Sequence, residues 1–152
     1  MKGLIQRVSE ASVTVDGEQV ASIGTGLLLL LGIEKEDGER EARELFRKVL
    51  TYRVFPDEAG RMNRSLADIG GSLLIVPQFT LAADTSSGTR PGFSLAAGPD
   101  EANQLYRLFV AEARSRLDPE KVGEGAFGAD MKVGLVNDGP VTFLLEVVQR
   151  RE

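Results

Sequence analysis

Polar and apolar residues alternate along Ser12-Val13-Thr14-Val15, and Gln19 to Ile23 resumes the pattern beyond Asp16-Gly17. Asp-Gly between two alternating runs signals a two-residue hairpin, because both turn positions tolerate positive φ. Gly26 to Ile33 is a continuous apolar run bounded by glycine, short enough to read as a strand buried on both faces. From Asp37 the period becomes helical. Ala42, Leu45, Phe46, Val49 and Leu50 share one face, while Glu39, Arg40, Arg43, Glu44, Arg47 and Lys48 face water. Pro56 lies beyond that helix, and Asp57, Gly60 and Asn63 mark a loop. Ser72 to Val76 predicts a second buried strand behind the Gly70-Gly71 break, and 82–98 an irregular stretch long enough to wall a site. Pro99 opens a second helix, with Asp100 and Glu101 in its first turn and Leu105, Leu108, Phe109 and Ala113 as its apolar face. This helix ends before Asp118-Pro119. Short strands over 121–125, 129–137 and 141–149 complete the chain, the last two joined by Asn137-Asp138-Gly139-Pro140. The pattern predicts a single α/β domain over 1–152, a mixed β-sheet with an N-terminal hairpin and two main helices.

Composition changes this picture mainly by exclusion. With 42% apolar and 27% charged residues in 152, the chain reads as a globular domain able to bury its own core. It has no cysteine and no histidine, which removes thiolate chemistry, Ser-His-Asp and Cys-His constellations, and nitrogen- or sulfur-ligated zinc. Neither a metal nor a cofactor is expected. The opening Met1 to Arg7 carries no signal-peptide run and Leu27 to Leu31 is too short to span a bilayer, so a cytoplasmic location is expected. A net charge of −5 argues against a broad nucleic-acid face and against DNA, but leaves room for a local patch at an RNA end. Arg107, Arg114, Arg116, Lys132, Arg150 and Arg151 are the candidates for such a patch; scattered arginines are also an ordinary solvated face.

Three segments carry candidate chemistry, each with a plainer alternative. Pro77-Gln78-Phe79-Thr80-Leu81 ends a buried strand, where ligands commonly sit in α/β sheets. Pro77 has no N–H for a ladder, so pairing should break there. The N–H groups of Gln78, Phe79 or Thr80 would then be available to a developing oxyanion. The alternative is a strand exit with a packed Phe. Phe127 between Gly125 and Gly128 offers a face for stacking a base, or is a core aromatic in a glycine-rich turn. Gly139-Pro140 is a candidate cis peptide that would give rigid backbone acceptors. On residue chemistry alone, an ordinary trans turn is favoured.

Taken together, Pro77-Gln78-Phe79-Thr80-Leu81-Ala82-Ala83-Asp84, Gly88-Thr89-Arg90-Pro91, Asn137-Asp138-Gly139-Pro140-Val141-Thr142 and the opening Gln6-Arg7-Val8 resemble the D-aminoacyl-tRNA deacylase family over the whole chain. The spacing of Phe127 and Met131 fits as well. The resemblance implies a deacylase-like fold and a homodimer with active sites at its interface. Its activity would be hydrolysis of the ester between tRNA and a D-amino acid, or glycine mischarged on tRNA(Ala). It implies that Gly139-Pro140 is cis, reaches into the partner's pocket, takes the substrate's α-amino group and rejects L side chains. Arg7 would brace that segment across the dimer; Gln78, Phe79 and Thr80 would line the ester; Phe127 and Met131 would meet the terminal adenosine.

One departure is plain: the family's usual serine is Pro77 here. Thr80 remains as a hydroxyl nucleophile, though no histidine is present to activate it. The preferred alternative has backbone N–H groups hold the carbonyl while the terminal 2′-OH of the tRNA positions water. A non-catalytic RNA- or nucleotide-binding module on the same scaffold is the competing reading, with Pro77 marking lost chemistry.

Overall fold

The computed structural model describes residues 1–149. In chain order these form strands β1 (Lys2–Val15), β2 (Glu18–Ile23) and β3 (Gly26–Gly32), helix α1 (Glu39–Thr51), short strands β4 (Phe55–Pro56) and β5 (Met62–Arg64), helix α2 (Leu66–Ile69), strand β6 (Ser72–Pro77), helix α3 (Pro99–Arg116), and strands β7 (Val122–Glu124) and β8 (Lys132–Glu146). The main sheet is mixed. β1 pairs antiparallel with β3 through its first half, with β2 through its second, and with β8 along its opposite edge. β6 joins β3 in parallel and β7 joins β6 in parallel. Asp16 and Gly17 both adopt positive φ between the paired Val15 and Glu18, which is the hairpin that the Asp-Gly signal predicts.

The two apolar strands are buried on both faces, as their composition requires. Leu27, Leu29, Leu31, Leu73 and Ile75 pack towards α1 and α3 in the larger core. Leu28, Leu74 and Val76 point the other way, into a second cluster with Val8, Ala11, Val13 and Ile23. That second core exists because β1 changes phase. Ile5 faces the helices, whereas Ala11 and Val13 face away, and the register shifts between Val8 and Glu10. The shift swings β2 over β6 and β7 and curls the sheet almost into a barrel. Fully burying one such Leu or Ile contributes about 1.5–3 kcal/mol, so the paired strands form a stiff platform.

The predicted face of α1 is buried as expected. That of α3 is rotated: Ala102, Tyr106, Phe109, Val110 and Ala113 are buried, while Leu105 and Leu108 lie at the flank. Tyr106 can turn inward because its hydroxyl donates to the Ile75 carbonyl at 2.9 Å, which satisfies the buried oxygen. The first strand begins at Lys2, well before the predicted hairpin. The predicted strands 129–137 and 141–149 are instead one strand, Lys132–Glu146, and Gly139-Pro140 interrupts it without reversing it. Both halves run antiparallel to the same β1. No helix among the described residues is long and apolar enough to cross a membrane.

Candidate active site

The parallel strand β6 leads directly into a 3-10 turn over Phe79–Ala82. Pairing does not break at Pro77. It continues one residue further, with Gln78 N–H donating to the Leu31 carbonyl at 2.8 Å, so Gln78 offers no free amide. Successive N–H groups in a strand point to opposite sides. Gly125 N–H bonds the Ile75 carbonyl on the β7 side, so the missing N–H of Pro77 falls beyond the end of β7 and no ladder bond is lost. The free donors are the next two. Phe79 and Thr80 begin the 3-10 turn, where backbone N–H groups have no partner within the turn, and neither N–H donates a hydrogen bond to another backbone group among the described residues. The Gln78 side-chain amide donates to Thr80 Oγ1. Phe79 is 62% exposed and its ring meets Phe93, with centroids 5.2 Å apart.

Beside this strand end, Gly125 allows the turn after β7 to close down. A Cβ there would stand 2.8 Å from Met131 Sδ and 3.3 Å from Pro77 Cδ. Met131 Sδ accepts a hydrogen bond from Ala126 N–H at 3.3 Å, and its side chain packs on the second core. Met131 therefore supports the turn from below. Phe127, on that turn, is 36% exposed and lies against Tyr106 with centroids 6.1 Å apart. Burial, with the Glu124 charge adding, pushes the Tyr106 phenol well above its ordinary value and keeps it a hydrogen-bond donor.

The Gly139-Pro140 peptide is cis. In the β1–β8 ladder Gln6 faces Thr142 and Val8 faces Asn137, so residues 138–141 bulge out opposite Arg7 alone. Arg7 Nε donates to the Asp138 carbonyl at 2.9 Å and Nη1 to the Val54 carbonyl at 2.7 Å. Within the chain, then, Arg7 braces its own Gly139-Pro140 segment. Asn137 closes the other side: its Oδ1 accepts from Val141 N–H at 2.8 Å and its Nδ2 donates to Thr142 Oγ1. Gly139 has φ 143, and a Cβ there would lie 2.7 Å from Val141 Cγ2, so this position requires glycine.

The two halves of the expected site do not meet in one chain. Arg7 is level with Leu27 at the start of β3, whereas Gln78 is level with Leu31 near its end. Three strand spacings across and four residues along put the bulge roughly 20 Å from Thr80 by sheet geometry. β8 pairs only with β1 among the described residues, and Leu135, Val136, Phe143 and Leu144 along it are exposed.

The sequence profile of the D-Tyr-tRNA(Tyr) deacylase family matches residues 4–146. The chain belongs to this deacylase family. The D-aminoacyl-tRNA deacylase of Marinobacter nauticus is 72% identical over 99% of this chain and 96% of its own length. That of Stutzerimonas stutzeri is 61% identical over 96% and 99%. Among solved structures, a chain titled c-Myc DNA Unwinding Element Binding Protein superposes with a TM-score of 0.94 at 43% identity, covering 98% of this chain and 100% of that one. A probable eukaryotic D-amino acid tRNA deacylase shares the fold, with a TM-score of 0.81 at 16% identity over 96% and 98%.

Sequence reasoning about this deacylase-family chain missed the Phe93 partner of Phe79, which lies in the long stretch after β6, and the strut Tyr106 beneath Phe127. An isolated aromatic in 82–98 was the available signal. The proposed basic patch is mostly neutralised. Arg114 has Glu124 at 3.9 Å, Arg116 has Glu112 at 3.8 Å and Lys132 has Asp130 at 3.6 Å. Arg107 has no carboxylate within 4.0 Å among the described residues. Arg150 and Arg151 lie outside them. No group of three or more His, Cys, Asp or Glu among the described residues is arranged to hold a metal.

Proposed function

We propose that this chain acts as a homodimeric D-aminoacyl-tRNA deacylase of the cytoplasm, in which each active site combines two chains. The observation that carries the reading is the separation of roughly 20 Å, by strand spacing and rise, between the Gly139-Pro140 bulge and the Phe79–Thr80 amides. A bulge on the free edge, flanked by exposed Leu135, Val136, Phe143 and Leu144, suits insertion into a second copy. There Gly139 and Pro140 would present fixed carbonyls to the substrate's α-amino group. An L side chain would collide with backbone that cannot yield; glycine has no side chain to reject. Glycine mischarged on tRNA(Ala) would therefore also be cleaved.

At the ester, the N–H groups of Phe79 and Thr80 are the donors best suited to the developing oxyanion. Water adds to the carbonyl, the ester C–O bond breaks, and the terminal ribose oxygen leaves as a hydroxyl once it has gained a proton. The only hydrogen bond of Thr80 Oγ1 among the described residues is accepted from the Gln78 amide, which supplies no base to activate it as a nucleophile. This supports water attack assisted by the tRNA's own 2′-OH. Purified protein incubated with D-Tyr-tRNA, L-Tyr-tRNA and glycyl-tRNA should release the D-amino acid and glycine and spare the L-ester. No release from any of the three at stoichiometric enzyme would refute the assignment. It would favour a non-catalytic nucleic-acid-binding module, the role suggested by the name of the solved relative at 43% identity.

A further inference from the structure

The turn that carries the Phe79 and Thr80 amides folds back onto the end of β3 at Gly32 with almost no clearance. A Cβ on Gly32 would stand 2.8 Å from Leu81 Cβ and 3.2 Å from the Gln78 carbonyl oxygen. Neither neighbour is the free end of a flexible side chain. Leu81 Cβ is fixed to the backbone of the turn, and the Gln78 carbonyl accepts the Leu81 N–H at 3.2 Å, a bond that closes the turn. Carbon atoms in contact keep about 3.5–4.0 Å, so a methyl group at position 32 would demand a shift of about 0.7–1.2 Å. The strand is held too firmly to give. Gly32 lies opposite Lys2 of β1, Leu31 lies opposite Pro77 of β6, and Leu27, Leu28, Leu29 and Leu31 are buried in the two cores. The turn is the softer partner, because Phe79 and Thr80 are exposed. Displacing it carries their free N–H groups along.

We propose that Gly32 is a positioning residue of the hydrolytic site: lacking a side chain, it lets the turn settle where the Phe79 and Thr80 amides meet the developing oxyanion. The inference rests on the deacylase reading, in which those amides are the donors, and deepens it. Oxyanion donors act at about 2.7–3.1 Å from the tetrahedral oxygen, so a shift approaching 1 Å takes them out of range. A misplacement of about 1 Å costs about 100-fold in rate. Gly32 thus acts through the turn and touches no reacting atom itself.

The test compares two non-hydrolysable compounds. D-tyrosyl-3′-amino-adenosine presents a planar carbonyl, whereas the 3′-adenosyl ester of the phosphonic acid counterpart of D-tyrosine presents a tetrahedral centre with an anionic oxygen. Wild-type protein should bind the phosphonate at least about 100-fold more tightly than the amide, as transition-state analogues do. Gly32→Ala should fold and keep its affinity for the amide. It should lose about 100-fold both in phosphonate affinity and in the single-turnover rate on D-Tyr-tRNA. A loss of stability alone would not separate the two compounds. In a Leu81→Gly background, which removes the Cβ at 2.8 Å, the same substitution should cost about tenfold less, a coupling within the range for groups in contact. Equal losses on the two compounds, a Gly32→Ala protein that does not fold, or a cost unrelieved by Leu81→Gly would each overturn the proposal. Equal binding of both compounds by wild type would remove the oxyanion reading and this inference with it. An intact phosphonate preference in Gly32→Ala would overturn the positioning role alone.

Discussion

Replacing Phe79 with proline removes one backbone donor while keeping the chain path. Gln78 sits outside the helical region (φ −138, ψ 79), so the clash that proline imposes on a helical preceding residue does not arise. Proline is also tolerated in the first turn of a helix, where the N–H has no partner in any case. The side chain lost is 62% exposed, and its pairing with Phe93 contributes about 0.5–1.5 kcal/mol. Stability should therefore fall only slightly. Loss of one oxyanion donor costs about 10²–10³ in rate, or about 2.7–4 kcal/mol of transition-state stabilisation. Phe79→Ala keeps the N–H and is the matched control; its single-turnover rate on D-Tyr-tRNA should stay within about tenfold of wild type, the equivalent of the lost ring contact. The reasoning fails if the folded proline variant cleaves as fast as the alanine variant.

Arg7→Met removes both hydrogen bonds that hold the bulge, at 2.9 and 2.7 Å. Bonds from a charged donor contribute about 1.5–3 kcal/mol each, so D-Tyr-tRNA hydrolysis should drop by about 10- to 100-fold and cleavage of L-Tyr-tRNA should rise relative to it; an unaltered D/L ratio would show the brace to be irrelevant. Thr80→Ala should keep most of the rate, whereas RNA ending in 2′-deoxyadenosine should be cleaved far more slowly; the reverse pattern would identify Thr80 as the nucleophile. Leu144→Glu puts a charge on the exposed face of β8 and should give monomers by sedimentation with no deacylation; an active monomer would contradict the two-chain site. Burial opposes ionisation of Glu41, but hydrogen bonds from its own and the Gly38 backbone, with Arg40 beside it, hold its carboxyl below the ordinary value. Its contribution is complete above the unfolded value and is lost as pH falls through the folded one, so Glu41→Gln should flatten the acid limb of a melting-temperature profile.

Much of the scaffold was legible because short-range chemistry sets it. Asp16-Gly17 can hardly be anything but a tight turn, and Leu27 to Leu31 needs cover on both faces. The face of α3 was misread because Leu105 and Leu108 outrank Tyr106 in hydropathy, yet only Tyr106 has a carbonyl, that of Ile75, to receive its hydroxyl. The phase change after Val8 depends on pairing with β8, far along the chain, and no local pattern encodes it. The same holds for the site. Phe79 and Thr80 were readable as a strand exit, but that Gln78 spends its amide on Leu31 is a fact of the parallel ladder. Gly139-Pro140 resembled an ordinary turn between two strands because its meaning lies in Arg7 and in the continuity of β8.

The central claim is that a bulge from one chain completes the ester site of another, and mixed dimers test it directly. Gly139→Ala, whose Cβ would meet Val141 Cγ2 at 2.7 Å, disables the bulge; Phe79→Pro removes one of the two amide donors. Differently tagged and purified as a heterodimer, the two would yield one site carrying both defects and one carrying neither. By two-fold symmetry the account predicts about half the wild-type rate on D-Tyr-tRNA, from parents that are each nearly inactive as homodimers. A heterodimer no more active than its parents would place both elements in the same chain's site and contradict the account.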